Sequence, residues 1–92
     1  MTMTKLSSAD LKRQVQYLRE REEINDDETA HALNLHLTAV EHCEKSKAGE
    51  KVIKHMKGFK KLLEHQKHED LISEEAFNKL SIDADYLIEK WQ

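Results

Sequence analysis

Residues 51–91 read KVIKHMKGFKKLLEHQKHEDLISEEAFNKLSIDADYLIEKW and contain two amphipathic helical patterns. The first repeats apolar residues at intervals of four, three and four, which places one face of a helix towards a core: Val52, Met56, Phe59 and Leu63. Gly58 lies within this pattern, where glycine costs about 1 kcal/mol relative to alanine. Close approach of a neighbouring helix would explain a glycine at this position.

The second pattern begins after Ser73, which is predicted to be an N-cap because its hydroxyl can accept a hydrogen bond from the first free N–H groups. Glu74 and Glu75 suit the positive end of the helix dipole. Ile72 and Phe77 have the spacing of a hydrophobic staple across the helix start. An apolar stripe then runs to the last residues of the chain: Ala76, Phe77, Leu80, Ala84, Leu87, Ile88 and Trp91.

Composition restricts the class of protein. The chain has 92 residues, 38% hydrophobic and 36% charged, with no proline and two glycines. These values favour one small helical domain over a sandwich or barrel rich in turns. The net charge of −3 gives no general polycation for nucleic acid, and no apolar run approaches the roughly 20 residues of a membrane span. The single cysteine, Cys43, cannot form an internal disulfide and indicates no compartment.

The periodicity predicts an all-α fold, an antiparallel four-helix bundle with helices near 8–21, 27–46, 50–68 and 74–91. Ser7 or Ser8 and Asp26 or Asp27 are predicted N-caps, and Gly49 is the predicted C′ residue of the second helix. Residues 1–7 are interpreted as a leader and residues 8–92 as the single domain. The predicted core contains Leu11, Val15, Leu18, Leu33, Leu37, Val40, Val52, Met56, Phe59, Leu63, Phe77, Leu80, Ala84, Leu87 and Ile88.

Six histidines raise the question of a metal site. His65 and His68 are three residues apart but lack a third ligand at motif spacing, so they are predicted to be solvent-facing and no bound ion or other cofactor is expected. His36 and His55 flank the core stripes of consecutive helices at a similar level. They could hydrogen-bond each other or share a polar partner, or be two separate histidines at the edge of the core. Neither these residues nor the neighbours His42 and Cys43 form a catalytic arrangement.

A more promising surface is the outer side of the third helix. When the Val52–Leu63 face turns inward, Lys54, Lys57 and Lys61 turn outward together. Such a face could bind an anionic polymer by charge, or be an ordinary solvated surface. The candidate binding residues are Lys54, Lys57, Lys61, His55 and His36. An alternative function, helical protein–protein interaction or oligomerisation, would use exposed apolar residues, for which the candidates are Leu35, Ile82 and Tyr86.

Several segments together resemble the FIMAH domain: HLTAVEH (36–42), KVIKHMKGFKKLL (51–63), LISEEAF (71–77) and DADYLIEKW (83–91). The letters of the family name correspond to His55, Met56, Phe59, Ile72, Ala76 and Ala84, and the likeness extends from about Leu11. It implies a small all-helical module, usually appended to secreted or cell-surface enzymes of Gram-positive bacteria. It also implies a non-catalytic accessory role beside a parent catalytic domain, and it supplies no catalytic residues. With the lysines, it leads us to expect binding or anchoring to an anionic cell-wall or extracellular polysaccharide.

Overall fold

The computed structural model describes residues 7–92, which form four α-helices. They are α1 (Ser8–Glu20), α2 (Asp27–Lys45), α3 (Gly49–His68) and α4 (Glu74–Trp91). The prediction of an all-α fold is therefore confirmed, with helix ends displaced by at most one residue. Residues 1–6 of the predicted leader lie outside the described part of the chain. Ser7 is described, and it is the N-cap of α1.

The helices form a compact bundle in which each packs against its neighbour in sequence, and α1 also contacts α4. Contacts between opposite helix ends show that neighbours run antiparallel. Ser8 at the start of α1 bonds Glu44 near the end of α2, and Trp91 at the end of α4 lies against Gly49 at the start of α3. Within residues 7–92, no helix is long and apolar enough to span a membrane.

The core contains fourteen of the fifteen predicted residues. Phe77 is the exception, because it is only half-buried at the seam between α3 and α4, where the Lys67 ammonium lies 5.7 Å from its ring centre. The adjacent Ala76 is fully buried instead, since a step of one residue turns a side chain about 100° around a helix. The buried apolar set also includes Ile24, Ala30 and Ile72.

The helix starts follow the predicted caps. Asp26 accepts a hydrogen bond from the Thr29 backbone N–H at 2.8 Å, and the Ser73 hydroxyl oxygen accepts one from the Ala76 N–H at 3.0 Å. These bonds satisfy N–H groups that have no partner within the helix. Both helices therefore begin where their side chains can cap them.

The end of α2 differs from the prediction, because Gly49 is not the C′ residue. Lys47 takes the left-handed conformation, with φ of 57°, while Gly49 is the first residue of α3. The Ala48 N–H donates to the Cys43 carbonyl and the Lys47 N–H to the Glu44 carbonyl, as in a Schellman motif. Gly49 instead allows close packing, since a Cβ there would lie 3.2 Å from the Trp91 carbonyl oxygen.

The α1–α2 and α3–α4 loops pair at one end of the bundle. An isolated antiparallel bridge joins Ile24 and Ile72, whose side chains are buried. The Asn25 N–H donates to the Leu71 carbonyl at 2.9 Å and the Ser73 N–H to the Glu23 carbonyl at 2.8 Å. We call this pairing the loop clasp, and it ties the two helical hairpins together.

Candidate functional site

The lysine face, defined as Lys54, Lys57 and Lys61, lies on the outer side of α3 and all three side chains are exposed. The opposite side of the helix carries the fully buried row that includes Met56 and Phe59. In the described part of the chain, none of the three lysines forms an ion pair within 4 Å. Their ammonium groups are therefore available to an external anion.

The positive charge of the bundle is concentrated on α3. This helix carries six lysines and two glutamates, which gives +4 if histidines are neutral. In α2, four carboxylates and one lysine give −3, and in α4 five carboxylates and two lysines also give −3. A basic helix thus lies between two acidic ones, so the orientation of the acidic groups decides whether the lysines are neutralised.

The carboxylates of α2 turn away from α3 and towards α1. Glu41 accepts a hydrogen bond from Lys12 at 3.0 Å, and Asp27 accepts one from Arg19 at 2.9 Å. The bond from Lys12 lowers the pKa of Glu41 below its ordinary value, because it favours the ionised carboxylate. These groups do not compensate the charge of the lysine face.

The seam between α2 and α3 is free of acidic residues over much of its length. Neither residues 29–40 of α2 nor residues 51–63 of α3 contain aspartate or glutamate. The two segments lie side by side, because the Gln66 side chain donates to the Thr29 carbonyl and His36 lies against Gly58. On the other side of α3, Lys60 pairs with Asp85 of α4. We therefore expect an external anion to approach the lysine face from the α2 side of α3 rather than from the α4 side.

Among the predicted site residues, His36 of α2 lies against Gly58 of α3. A Cβ added to Gly58 would lie 3.3 Å from Cε1 of His36 and 3.7 Å from its Nδ1. The close approach expected at Gly58 is thus made by a side chain of α2. His36 and His55 are both half-buried, but no hydrogen bond between them occurs within residues 7–92. The structure supports the alternative of two separate histidines.

The remaining histidines show no metal-binding arrangement. His65 and His68 are exposed, and residues 7–92 contain no group of three or more His, Cys, Asp or Glu side chains placed to hold an ion. That no metal binds remains a prediction for experiment. Cys43 is a free, half-buried thiol beside the core.

Exposed apolar side chains lie elsewhere on the surface. Leu35, Ile82 and Tyr86 are 58%, 66% and 44% exposed, as expected for residues that point away from the core. Tyr17, which the sequence analysis did not single out, is 54% exposed. An open groove between α1 and α2 includes Leu35 in its lining. None of the candidate binding residues lines this groove.

Residues 7–92 form a small all-α module whose most distinctive external feature is a row of three exposed lysines. The family model of the FIMAH domain matches residues 8–89, nearly the whole chain. The protein therefore belongs to the FIMAH domain family. No curated protein and no solved structure matches the chain.

Proposed function

We propose that this domain is a non-catalytic accessory module that binds an anionic cell-wall or extracellular polysaccharide through the lysine face. The observation that carries the proposal is that Lys54, Lys57 and Lys61 are exposed and form no ion pair in the described structure, beside a stretch of the α2–α3 seam, residues 29–40 and 51–63, that has no carboxylate. Long, flexible lysines suit a polymer of repeating charge better than a single planar ligand. The domain would act at the cell surface or outside the cell, as part of a larger protein with a catalytic domain.

Binding of this kind is expected to be weak and salt-dependent. Exposed charges are screened over about 10 Å at 0.1 M salt and about 3 Å at 1 M. Weak binding is still useful to a tethered enzyme, because attachment to the polymer raises the local concentration of substrate. A module of this kind needs neither a deep pocket nor a catalytic group.

The test compares wild type with Lys54→Glu/Lys57→Glu/Lys61→Glu in titrations against purified cell wall, teichoic acid and acidic polysaccharides. The matched control is Arg13→Glu/Lys45→Glu/Lys47→Glu, which changes the net charge equally but lies off the lysine face. Wild type and control should bind at low salt and dissociate at high salt, while the first variant should not bind. Equal binding by all three proteins, or binding by none, would refute the proposal.

A second candidate function is helical protein–protein interaction or oligomerisation. It is favoured by the exposure of Leu35, Ile82 and Tyr86, because large apolar side chains at a surface often mark an interface. Light scattering across a range of protein concentrations tests self-association. A stable dimer that Ile82→Ser dissociates, together with no polymer binding, would make this function the better account.

A further inference from the structure

A notch interrupts the outer row of α3 at Gly58. The ring of His36 from α2 lies where a side chain at position 58 would be, with Cε1 3.3 Å from the ideal Cβ position. Glycine within a helix costs about 1 kcal/mol relative to alanine. Because position 58 has no side chain, the imidazole of His36 can lie directly against the α3 backbone at the surface.

Lysines bracket this notch along the helix. Lys54 is four residues before Gly58 and Lys61 three residues after it, so both share its row, with Cβ positions about 5–6 Å from the notch. Lys57 is three residues before Lys60, whose ammonium pairs with Asp85, and so it lies on the α4 side of the row. The notch therefore has one cation on each side along α3 and the His36 ring at its centre.

The residues of α2 one turn before and after His36 are uncharged. Ala32, which also lines the groove between α1 and α2, lies four residues before His36, and Ala39 lies three residues after it; both are half-buried. In the described part of the chain, the His36 side chain makes no hydrogen bond, so an imidazole N–H is available to a ligand. A bound group would meet cations and an N–H donor on one side and methyl groups on the other.

We propose that one carboxylate of a polyuronic acid lies over the Gly58 notch, on the outer edge of the His36 ring, with Lys54 and Lys61 binding its oxygens and His36 donating an N–H. In a uronic acid the carboxylate is bonded directly to a ring carbon, so the apolar C–H face of the sugar comes close behind the charge. That face can lie on Ala32 and Ala39 and exclude water, while the carboxylate makes charge-assisted hydrogen bonds. A flexible polyol phosphate offers no comparable rigid apolar face. This inference rests on the proposed function and narrows it to one class of ligand and one binding position on α3.

The decisive variant is Gly58→Ala. The added Cβ displaces His36 by a few tenths of an ångström from its present contact, while the better helix propensity of alanine supports the fold. We expect binding of a galacturonic acid hexamer, measured by calorimetry at low salt, to weaken about tenfold. Urea unfolding of the same variant should show a stability no lower than that of wild type.

Two further comparisons keep the proposal testable if Gly58→Ala does not fold. His36→Ala should weaken hexamer binding about as much as Gly58→Ala, and His36→Gln, which keeps an N–H donor, should recover part of the loss. Lys54→Gln and Lys61→Gln should each weaken binding more than Lys57→Gln, which removes the same charge from the same helix. The corresponding neutral galactose hexamer should not bind, and a glycerol phosphate oligomer should bind more weakly than the uronic acid hexamer.

The outcomes separate this inference from the proposed function. If Lys57→Gln weakens binding as much as Lys54→Gln, or folded Gly58→Ala and His36→Ala bind like wild type, the notch is not the seat. The same conclusion follows if glycerol phosphate binds as tightly as the uronic acid. In these cases diffuse binding by the lysine face would still stand. Binding that survives the triple lysine-to-glutamate change, or no binding at all, would overturn both.

Discussion

Phe59→Ala is expected to remove a large part of the stability of this domain. Phe59 is the largest of the fully buried side chains. An aromatic side chain buries about 150–250 Å², which at about 25 cal/mol per Å² corresponds to about 4–6 kcal/mol. Alanine keeps the Cβ, so the expected loss is about 3–5 kcal/mol. A domain of this size has about 5–15 kcal/mol in total.

Phe77→Ala provides a matched control, because it deletes the same ring from a half-buried position at the α3–α4 seam. Its expected cost is about 1–2 kcal/mol, from partial burial and the contact with Lys67. The free energies of unfolding should be measured by urea denaturation, in which a small domain has a slope of about 1–3 kcal/mol per molar. A loss below about 1 kcal/mol for Phe59→Ala, or equal losses for both variants, would refute the assignment of Phe59 to the core and Phe77 to its edge.

Three further measurements test other features of the structure. Lys47→Gly should gain about 0.5–1 kcal/mol, because glycine adopts the left-handed conformation at lower cost, whereas Ser46→Gly, at a right-handed position, should lose stability. Burial raises the pKa of Asp83 above its ordinary value, so its charge opposes folding at neutral pH and the opposition is relieved as the pH falls through that raised pKa. Asp83→Asn should therefore raise the urea midpoint at pH 7, and the difference should vanish below about pH 4. Zinc titration by calorimetry should show no stoichiometric submicromolar binding in wild type or His55→Ala, and tight binding lost in the variant would contradict this prediction.

The sequence was sufficient for features that depend on neighbours along the chain. The 3.6-residue period located all four helices, and side-chain capping located the starts at Asp26 and Ser73. The outward direction of Lys54, Lys57 and Lys61 followed from the same period. Each of these features is set by interactions within one or two turns of a single helix.

Features that depend on other elements were harder to predict. Phe77 follows the apolar stripe of α4, but the position of α3 decides that Ala76 faces the centre. Gly49 has the residue type of a C′ position, yet Lys47 takes that position, and Gly49 packs against Trp91 at the start of α3. The glycine at position 58 signalled a close approach, but nothing in the sequence showed that His36 makes it.

The cationic surface beside the α2–α3 seam also could not be predicted from the net charge of the chain. The net charge of −3 gave no indication of a cationic surface, because it averages a basic helix with two acidic ones. Only the packing of α1 shows that Lys12 pairs with Glu41 and Arg19 with Asp27 of α2. The candidate site is thus partly a product of a helix that contributes no residue to it.

The loop clasp has a consequence for the order in which the fold assembles. Most helix contacts join consecutive helices, whereas the clasp joins Ile24 to Ile72, which closes a chain segment of 48 residues. The entropy of closing it costs about 3.4 kcal/mol beyond a constant, from 1.5RT ln n. The helical hairpins require much shorter closures and should form first. Substitutions at Ile24 or Ile72 should therefore mainly accelerate unfolding and leave the folding rate nearly unchanged, so the clasp would govern how long the domain stays folded.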